Sequence, residues 1–243
     1  MTEQASSTIV QVINANSSTT MTAQLEHECT NLVPENGQLI FTTNTKGPAS
    51  IEGFSDGVTA SFALAELIRE IEQNSKQRPS AYVIACFDDT GLDAARELTD
   101  SPVVGIGEAS CHLATLLGQR FIVMTSLARS ISIIENNLDT YGLNKRCSGV
   151  FASGIPVLQL EHDPNAYPQV VDASRRALQD TNAEVLVLGC AGMSRWVATL
   201  EDDLGVPVID GVRAGIKLAT SLVELNLKTS KHLSYKQPEI KQI

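Results

Sequence analysis

Two of the five cysteines end matching apolar runs, Ala81-Tyr-Val-Ile-Ala-Cys86 and Glu184-Val-Leu-Val-Leu-Gly-Cys190. A free thiol titrates at about pH 8.5, near enough to neutral for modest tuning to make it either a base or an acid. Two such groups on opposite sides of one carbon acid would suit inversion: a thiolate removes the proton from one face and the opposing thiol returns one to the other. The carbanion or enolate formed between these steps needs hydrogen-bond donors rather than a metal, and backbone N–H groups at helix starts are a source of them. Each cysteine is followed by turn-forming residues, Asp88-Asp89-Thr90-Gly91 and Ala191-Gly192, and then by a predicted helix. That placement is expected to favour thiolate through the helix dipole. Cys29, Cys111 and Cys147 have no symmetric counterpart and read as ordinary small apolar residues.

The elements that must carry these thiols are short β-branched runs alternating with helical patterns, as in parallel α/β construction. Residues 9–13 and 39–42 read as the first two strands, and 81–85 as a strand buried on both faces. After Gly53, the spacing of Phe54, Val58, Phe62, Ala65, Ile68 and Ile71 predicts one buried helix face. The chain then repeats itself. Pro102-Val-Val-Gly-Ile-Gly-Glu-Ala-Ser-Cys-His-Leu-Ala-Thr-Leu-Leu117 is echoed by Pro207-Val-Ile-Asp-Gly-Val-Arg-Ala-Gly-Ile-Lys-Leu-Ala-Thr-Ser-Leu222, and residues 121–124 stand for the first strand. The offset is about a hundred residues, too long for a solenoid. The fold class expected is therefore α/β, with two similar Rossmann-like lobes, each on a parallel four-stranded sheet, related by a pseudo-two-fold. Residues 1–104 with 211–243 form the first lobe and 105–210 the second. Because ligands of open parallel sheets sit beyond the carboxyl ends of strands, the site belongs in the cleft between the lobes.

Composition narrows the alternatives. With 243 residues, 43% hydrophobic and 19% charged, the chain affords a sizeable core. A net charge of −10 without a basic stripe argues against nucleic acid. Lys228, Lys231, Lys236 and Lys241 read as a solvated polar tail. No apolar run is long enough to span a bilayer, residues 1–7 lack a signal-peptide pattern, and an odd number of cysteines fits reduced thiols in the cytoplasm. Gly105-Ile-Gly-Glu-Ala-Ser110 follows a strand, yet it lacks the third glycine and the distant acid of a dinucleotide fingerprint. His27, His112, His162 and His232 are scattered, with no metal-ligand spacing.

Six segments together resemble the Asp/Glu/hydantoin racemase superfamily, in its hydantoin and allantoin branch. They are Val12-Ile-Asn-Ala-Asn-Ser17, Gly47-Pro-Ala-Ser-Ile-Glu-Gly53, Val83-Ile-Ala-Cys-Phe-Asp-Asp89, Pro102-Val-Val-Gly-Ile106, Val187-Leu-Gly-Cys-Ala-Gly-Met193 and Pro207-Val-Ile-Asp-Gly211. The resemblance implies a cofactor-independent racemase without metal or pyridoxal phosphate, acting on a small cyclic ureide or hydantoin through Cys86 and Cys190, in a homo-oligomer. It also implies a pocket lined by Asn14 and Ser17, with Thr125 and Ser126 as their counterparts. Ser50, Phe87 and Ala191 are expected at the site as well, and Gly192 and Met193 as backbone donors. The chain departs from the family in carrying Ala15 and Thr90 where proline is common, which loosens two loops without removing a functional group. The superfamily's amino-acid racemases follow their cysteines with polar residues that hold an α-carboxylate. Phe87 and Ala191 stand here instead, which favours an uncharged ring. An Asp/Glu-type racemase, a cis–trans isomerase of the same superfamily and a non-catalytic two-lobed binding protein remain as alternatives.

Overall fold

The computed structural model describes residues 8–74, 78–160 and 162–239. The polar start at 1–7 and Lys241 lie outside them. Two four-stranded, wholly parallel sheets have the same topology. In the first, β2 (Gly37–Thr43), β1 (Thr8–Asn14), β3 (Ala81–Ile84) and β4 (Val103–Gly105) lie in the order β2-β1-β3-β4. In the second, β6 (Cys147–Ala152), β5 (Phe121–Thr125), β7 (Val185–Leu188) and β8 (Val208–Asp210) lie in the order β6-β5-β7-β8. The expected architecture is the observed one. Each strand pair is joined by a helix: α1 (Thr19–Cys29), α2 (Phe54–Asn74) and α3 (Leu92–Leu98) in the first half, α5 (Ile131–Thr140), α6 (Ala166–Thr181) and α7 (Val197–Leu204) in the second. The last helix of each half, α4 (Ile106–Leu117) or α8 (Gly211–Glu224), packs across to the other half, α4 against β7 and β8, α8 against β1 and β3.

Alternation along the strands builds three cores. Val10, Val12, Val83, Phe121, Val123 and Val187 point into one shared interior with α4 and α8. Their neighbours point outward: Ile13, Tyr82 and Ile84 toward α2 and α3, and Ile122, Met124, Leu186 and Leu188 toward α6 and α7. All four residues of β3 and of β7 are buried, as strands covered on both faces require. A Cβ at Gly215 would meet Val83 Cγ1 at 2.9 Å and Ile106 Cγ2 at 3.1 Å, so glycine lets α8 seat directly on β3 and α4.

Two expectations are corrected. Only part of the predicted α2 face is buried: Phe54, Val58 and Phe62 are 64%, 72% and 71% exposed, and Ala60, Ala63, Leu64 and Ile68 make the contact. The helix carries two apolar stripes, and spacing alone does not say which one the sheet takes. The basic tail is not simply solvated either. Lys231 Nζ donates to the carbonyls of Arg96 (2.7 Å) and Glu97 (3.2 Å) at the end of α3, where the helix dipole favours a cation. Among the described residues no helix is long and apolar enough to cross a membrane.

Candidate active site

Cys86 and Cys190 occupy equivalent positions, two residues beyond the last residues of β3 and β7. In each case the intervening residue adds one last bond to the ladder: Ala85 N donates to Ile13 O, and Gly189 N to Met124 O, both at 2.8 Å. The backbone then leaves the sheet at the cysteine. Both cysteines line a single cavity of about 430 Å³, its open mouth included, together with Asn14, Asn16, Asp88 and Ser130 among the polar groups. Phe87, Thr125, Ser126 and Ala191 also line it.

Ser17, Ser50, Gly192 and Met193 are not part of the lining. Ser17 N donates to Pro48 O at 2.8 Å and ties two loops together, and Ile51, just past Ser50, is the residue that reaches the cavity. Met193 is buried in the outer core, and its N–H donates to Cys190 O at 3.1 Å. Gly192 packs beside the thiol: a Cβ there would lie 3.7 Å from Cys190 Sγ. Asn14 and Thr125, although in the wall, are engaged internally. Asn14 Nδ2 donates to Asn16 Oδ1 (2.9 Å), Ser18 O (3.0 Å) and Thr22 Oγ1 (3.1 Å), and Thr125 Oγ1 donates to Gly189 O (3.1 Å). Both shape the loops that form the wall.

Sequence reasoning read Asp88 only as a turn residue and passed over Ser130. Among the described residues Asp88 is the one carboxylate in the lining, and no lysine, arginine or histidine accompanies it there. Burial raises the Asp88 carboxyl to about 6, with a hydrogen bond from Ser130 pulling the other way. A signal for this pair existed: Ser130 lies four residues past Ser126, where the β5 end turns into α5, but nothing in the sequence joins it to Asp88.

The expected lowering of the thiol pKa is corrected as well. Burial pushes the Cys86 thiol up to about 12, and the Asp88 charge adds to the rise. The Thr90 hydroxyl, 3.3 Å from the sulfur, acts in the opposite sense. The helix that was to supply positive dipole, α3, starts only at Leu92 and has seven residues. After Cys190 the chain enters a 3₁₀ turn, Ala191–Trp196, rather than an α-helix. Desolvation therefore outweighs the dipole.

The Gly105–Ser110 segment does open a helix after a strand, but its amides are occupied. Asp89 Oδ1 accepts from Gly107 N at 3.0 Å and Asp89 Oδ2 from Glu108 N at 2.7 Å. The anion at this helix start is the chain's own carboxylate.

A family model described as Asp/Glu/hydantoin racemase matches residues 10–219. The chain belongs to that family. It is 42% identical to a hydantoin racemase of Pseudomonas sp. (strain NS671), covering 96% of this chain and 93% of the relative. A hydantoin racemase of Rhizobium meliloti is 41% identical over 96% of this chain and 95% of the relative. Among solved structures, an allantoin racemase from Klebsiella pneumoniae superposes with a TM-score of 0.92 at 38% identity, covering 98% of this chain and 96% of that one.

Proposed function

We propose that this protein is an isomerase that racemises 5-substituted hydantoins, allantoin included, without a cofactor. The observation that carries the reading is one cavity walled by two equivalent cysteines and, among the described residues, by no basic side chain. C5 of a hydantoin is acidified by the adjacent ring carbonyl, which takes up charge in the enolate. One thiolate takes the C5 proton as an S–H bond forms, the ring becomes planar, and the opposing thiol delivers its proton to the other face. Cys86 and Cys190 exchange base and acid roles with the enantiomer bound. The high Cys86 pKa suits the acid role directly and makes thiolate formation costly in the other direction. A free amino acid would bring an α-carboxylate into a lining whose charged partner is Asp88, which repels it. A neutral ring N–H finds an acceptor in the same group.

Polarimetry with optically pure allantoin and, separately, with an alkyl or aryl hydantoin tests the substrate class. Rotation should decay for at least one of them, and solvent deuterium should enter C5. Constant rotation and no exchange with either compound refute the reading. Cys86→Ser and Cys190→Ser should each abolish net racemisation, whereas Cys147→Ser should leave turnover near normal, and the opposite pattern would move the chemistry to another thiol.

The lobe boundaries at 104/105 and 210/211 belong to the same proposal, as do a cytoplasmic location and a homo-oligomer. The exposed Phe54, Val58 and Phe62 stripe is the apolar surface such an assembly would cover. Sedimentation of Phe62→Glu tests it, with an unchanged oligomer or a monomeric parent counting against this face.

A further inference from the structure

The two halves hold their cysteine loops by one carboxylate each, and the carboxylates come from different places in the sequence. In the second half it is Asp210, the last residue of β8, whose Oδ1 accepts from Val212 N (2.8 Å) and from Ser194 Oγ (2.9 Å) in the turn after Cys190. The repeat register sets Asp210 against Gly105. The backbone is the same at both, φ −86° and ψ 121° at Asp210 against φ −83° and ψ 139° at Gly105. A Cβ at Gly105 would sit 2.2 Å from Asp89 Oδ1 and 2.5 Å from Asp89 Cγ. The Asp89 carboxylate thus fills, from the cysteine loop, the space an aspartate at 105 would take, and it accepts from Gly107 N, the register equivalent of Val212 N.

Asp89 does one thing that Asp210 does not. Its Oδ2 accepts from Tyr141 Oη at 2.7 Å, and the carbonyl of Asp88 accepts from Asn137 Nδ2 at 2.9 Å. Asn137 lies on α5 and Tyr141 directly follows it, so both belong to the half that carries Cys190. The Cys86 loop is therefore fastened to the opposite half as well as to α4.

We infer that Asp89 is a positioning residue for the Cys86 half of the reaction, holding that thiol in register with the second lobe through Tyr141. The inference rests on the two-thiol reading above. It reaches the chemistry through the loop, since Asp89 is absent from the cavity lining.

The test measures deuterium wash-in at C5 for each enantiomer separately, alongside thermal melting. In Tyr141→Phe and Asp89→Asn, exchange of the enantiomer whose proton faces Cys86 should fall by about tenfold or more, equivalent to about 1.4 kcal/mol in the barrier. Exchange of the other enantiomer should change by less than about twofold, well under 1 kcal/mol. Tyr141→Phe keeps the carboxylate on α4, so a folding defect does not mask the result. Asp89→Gly/Gly105→Asp moves the carboxylate to the place it has in the second half, where, apart from Asp89 itself, the nearest atom to the new Cβ is the mobile end of Leu92 (Cδ2 at 2.8 Å). That variant should regain the melting temperature lost by Asp89→Gly while exchange at the Cys86 face stays low. Equal loss for both enantiomers, no loss, or recovery of exchange together with stability would overturn the inference and leave a simple helix cap. Cys86→Ser is the reference. If it shows no enantiomer asymmetry, the two-thiol reading falls and takes this one with it; if it shows asymmetry and Tyr141→Phe does not, the positioning role alone falls.

Discussion

Asp88→Asn removes one charge beside Cys86 while keeping the shape of the side chain, and its effect can be worked through as a function of pH. Asp88 is held at about 6, so above that pH it is anionic and opposes ionisation of the Cys86 thiol, itself pushed up to about 12. At about pH 8 a thiol with that pKa is thiolate in roughly one molecule in ten thousand, since each unit is a factor of ten. A nearby like charge shifts a pKa by on the order of one unit, so neutralising Asp88 raises the thiolate population about tenfold. The thiolate so gained is a weaker base. With a Brønsted coefficient of about 0.5, the net gain in proton abstraction is about threefold. The gain must vanish below about pH 6, where the native Asp88 is already neutral. Initial-rate polarimetry from about pH 5 to 9, with kcat and KM separated, reads the effect. The variant and native rates should converge at low pH and separate above it. A ratio that stays constant across the range would refute the electrostatic account, and a raised KM at unchanged kcat would assign Asp88 to substrate contact alone.

Ser130→Ala removes the hydrogen bond that opposes the rise in the Asp88 pKa, so the point at which native and Asp88→Asn rates diverge should move to higher pH in that background; an unmoved divergence point counts against the pairing. Gly107→Ala would place a Cβ 2.3 Å from the carbonyl oxygen of Phe87 and 2.8 Å from Asp89 Oδ2. Backbone must shift, and a loss of about 1–3 kcal/mol in denaturant unfolding is expected together with a fall in kcat; native-like behaviour would show that the loop is not fixed at this contact. Burial raises the Asp89 carboxyl from 3.8 to about 7, so in that window the folded state holds a proton that the unfolded chain has released. Its contribution to stability is complete below the lower value and is lost as pH rises through the upper one. Asp89→Asn should flatten the fall in unfolding free energy across this window, and a slope as steep as the native one would assign the titration elsewhere.

Most of the strands and the doubling of the lobe were legible because burial on both faces leaves long β-branched runs, and because the repeat keeps its register through Leu-Ala-Thr in α4 and α8. Placement of the two cysteines at strand ends followed from the same pattern. What periodicity did not decide was which of two apolar stripes α2 turns inward, because Phe54, Val58 and Phe62 satisfy helical spacing as well as Ala60, Leu64 and Ile68 do. The sign of the Cys86 pKa shift was also hidden. It depends on how much water reaches the sulfur, a property of the folded cavity, and on a helix that begins later and runs shorter than its turn signals suggest.

The exchanged carboxylate lies deeper still, because the register that exposes the repeat also conceals it. Alignment sets Gly105 against Asp210, and a reader of sequence sees an acid lost from one half. Only coordinates show Asp89 occupying the space, with its oxygen 2.2 Å from where that Cβ would be. Two thiols that must serve one planar intermediate need matched positions, but not matched supports. Each half needs an anion at the start of its last helix and a tether on the turn that follows its cysteine, and any chain position that reaches the node meets the requirement. The first half meets it from the loop itself, and its second carboxylate oxygen, which accepts from Glu108 N, also accepts from Tyr141 of the other half, each at 2.7 Å. The symmetry conserved between the halves is therefore one of forces on the cysteine loops, and the residues that supply those forces are free to differ.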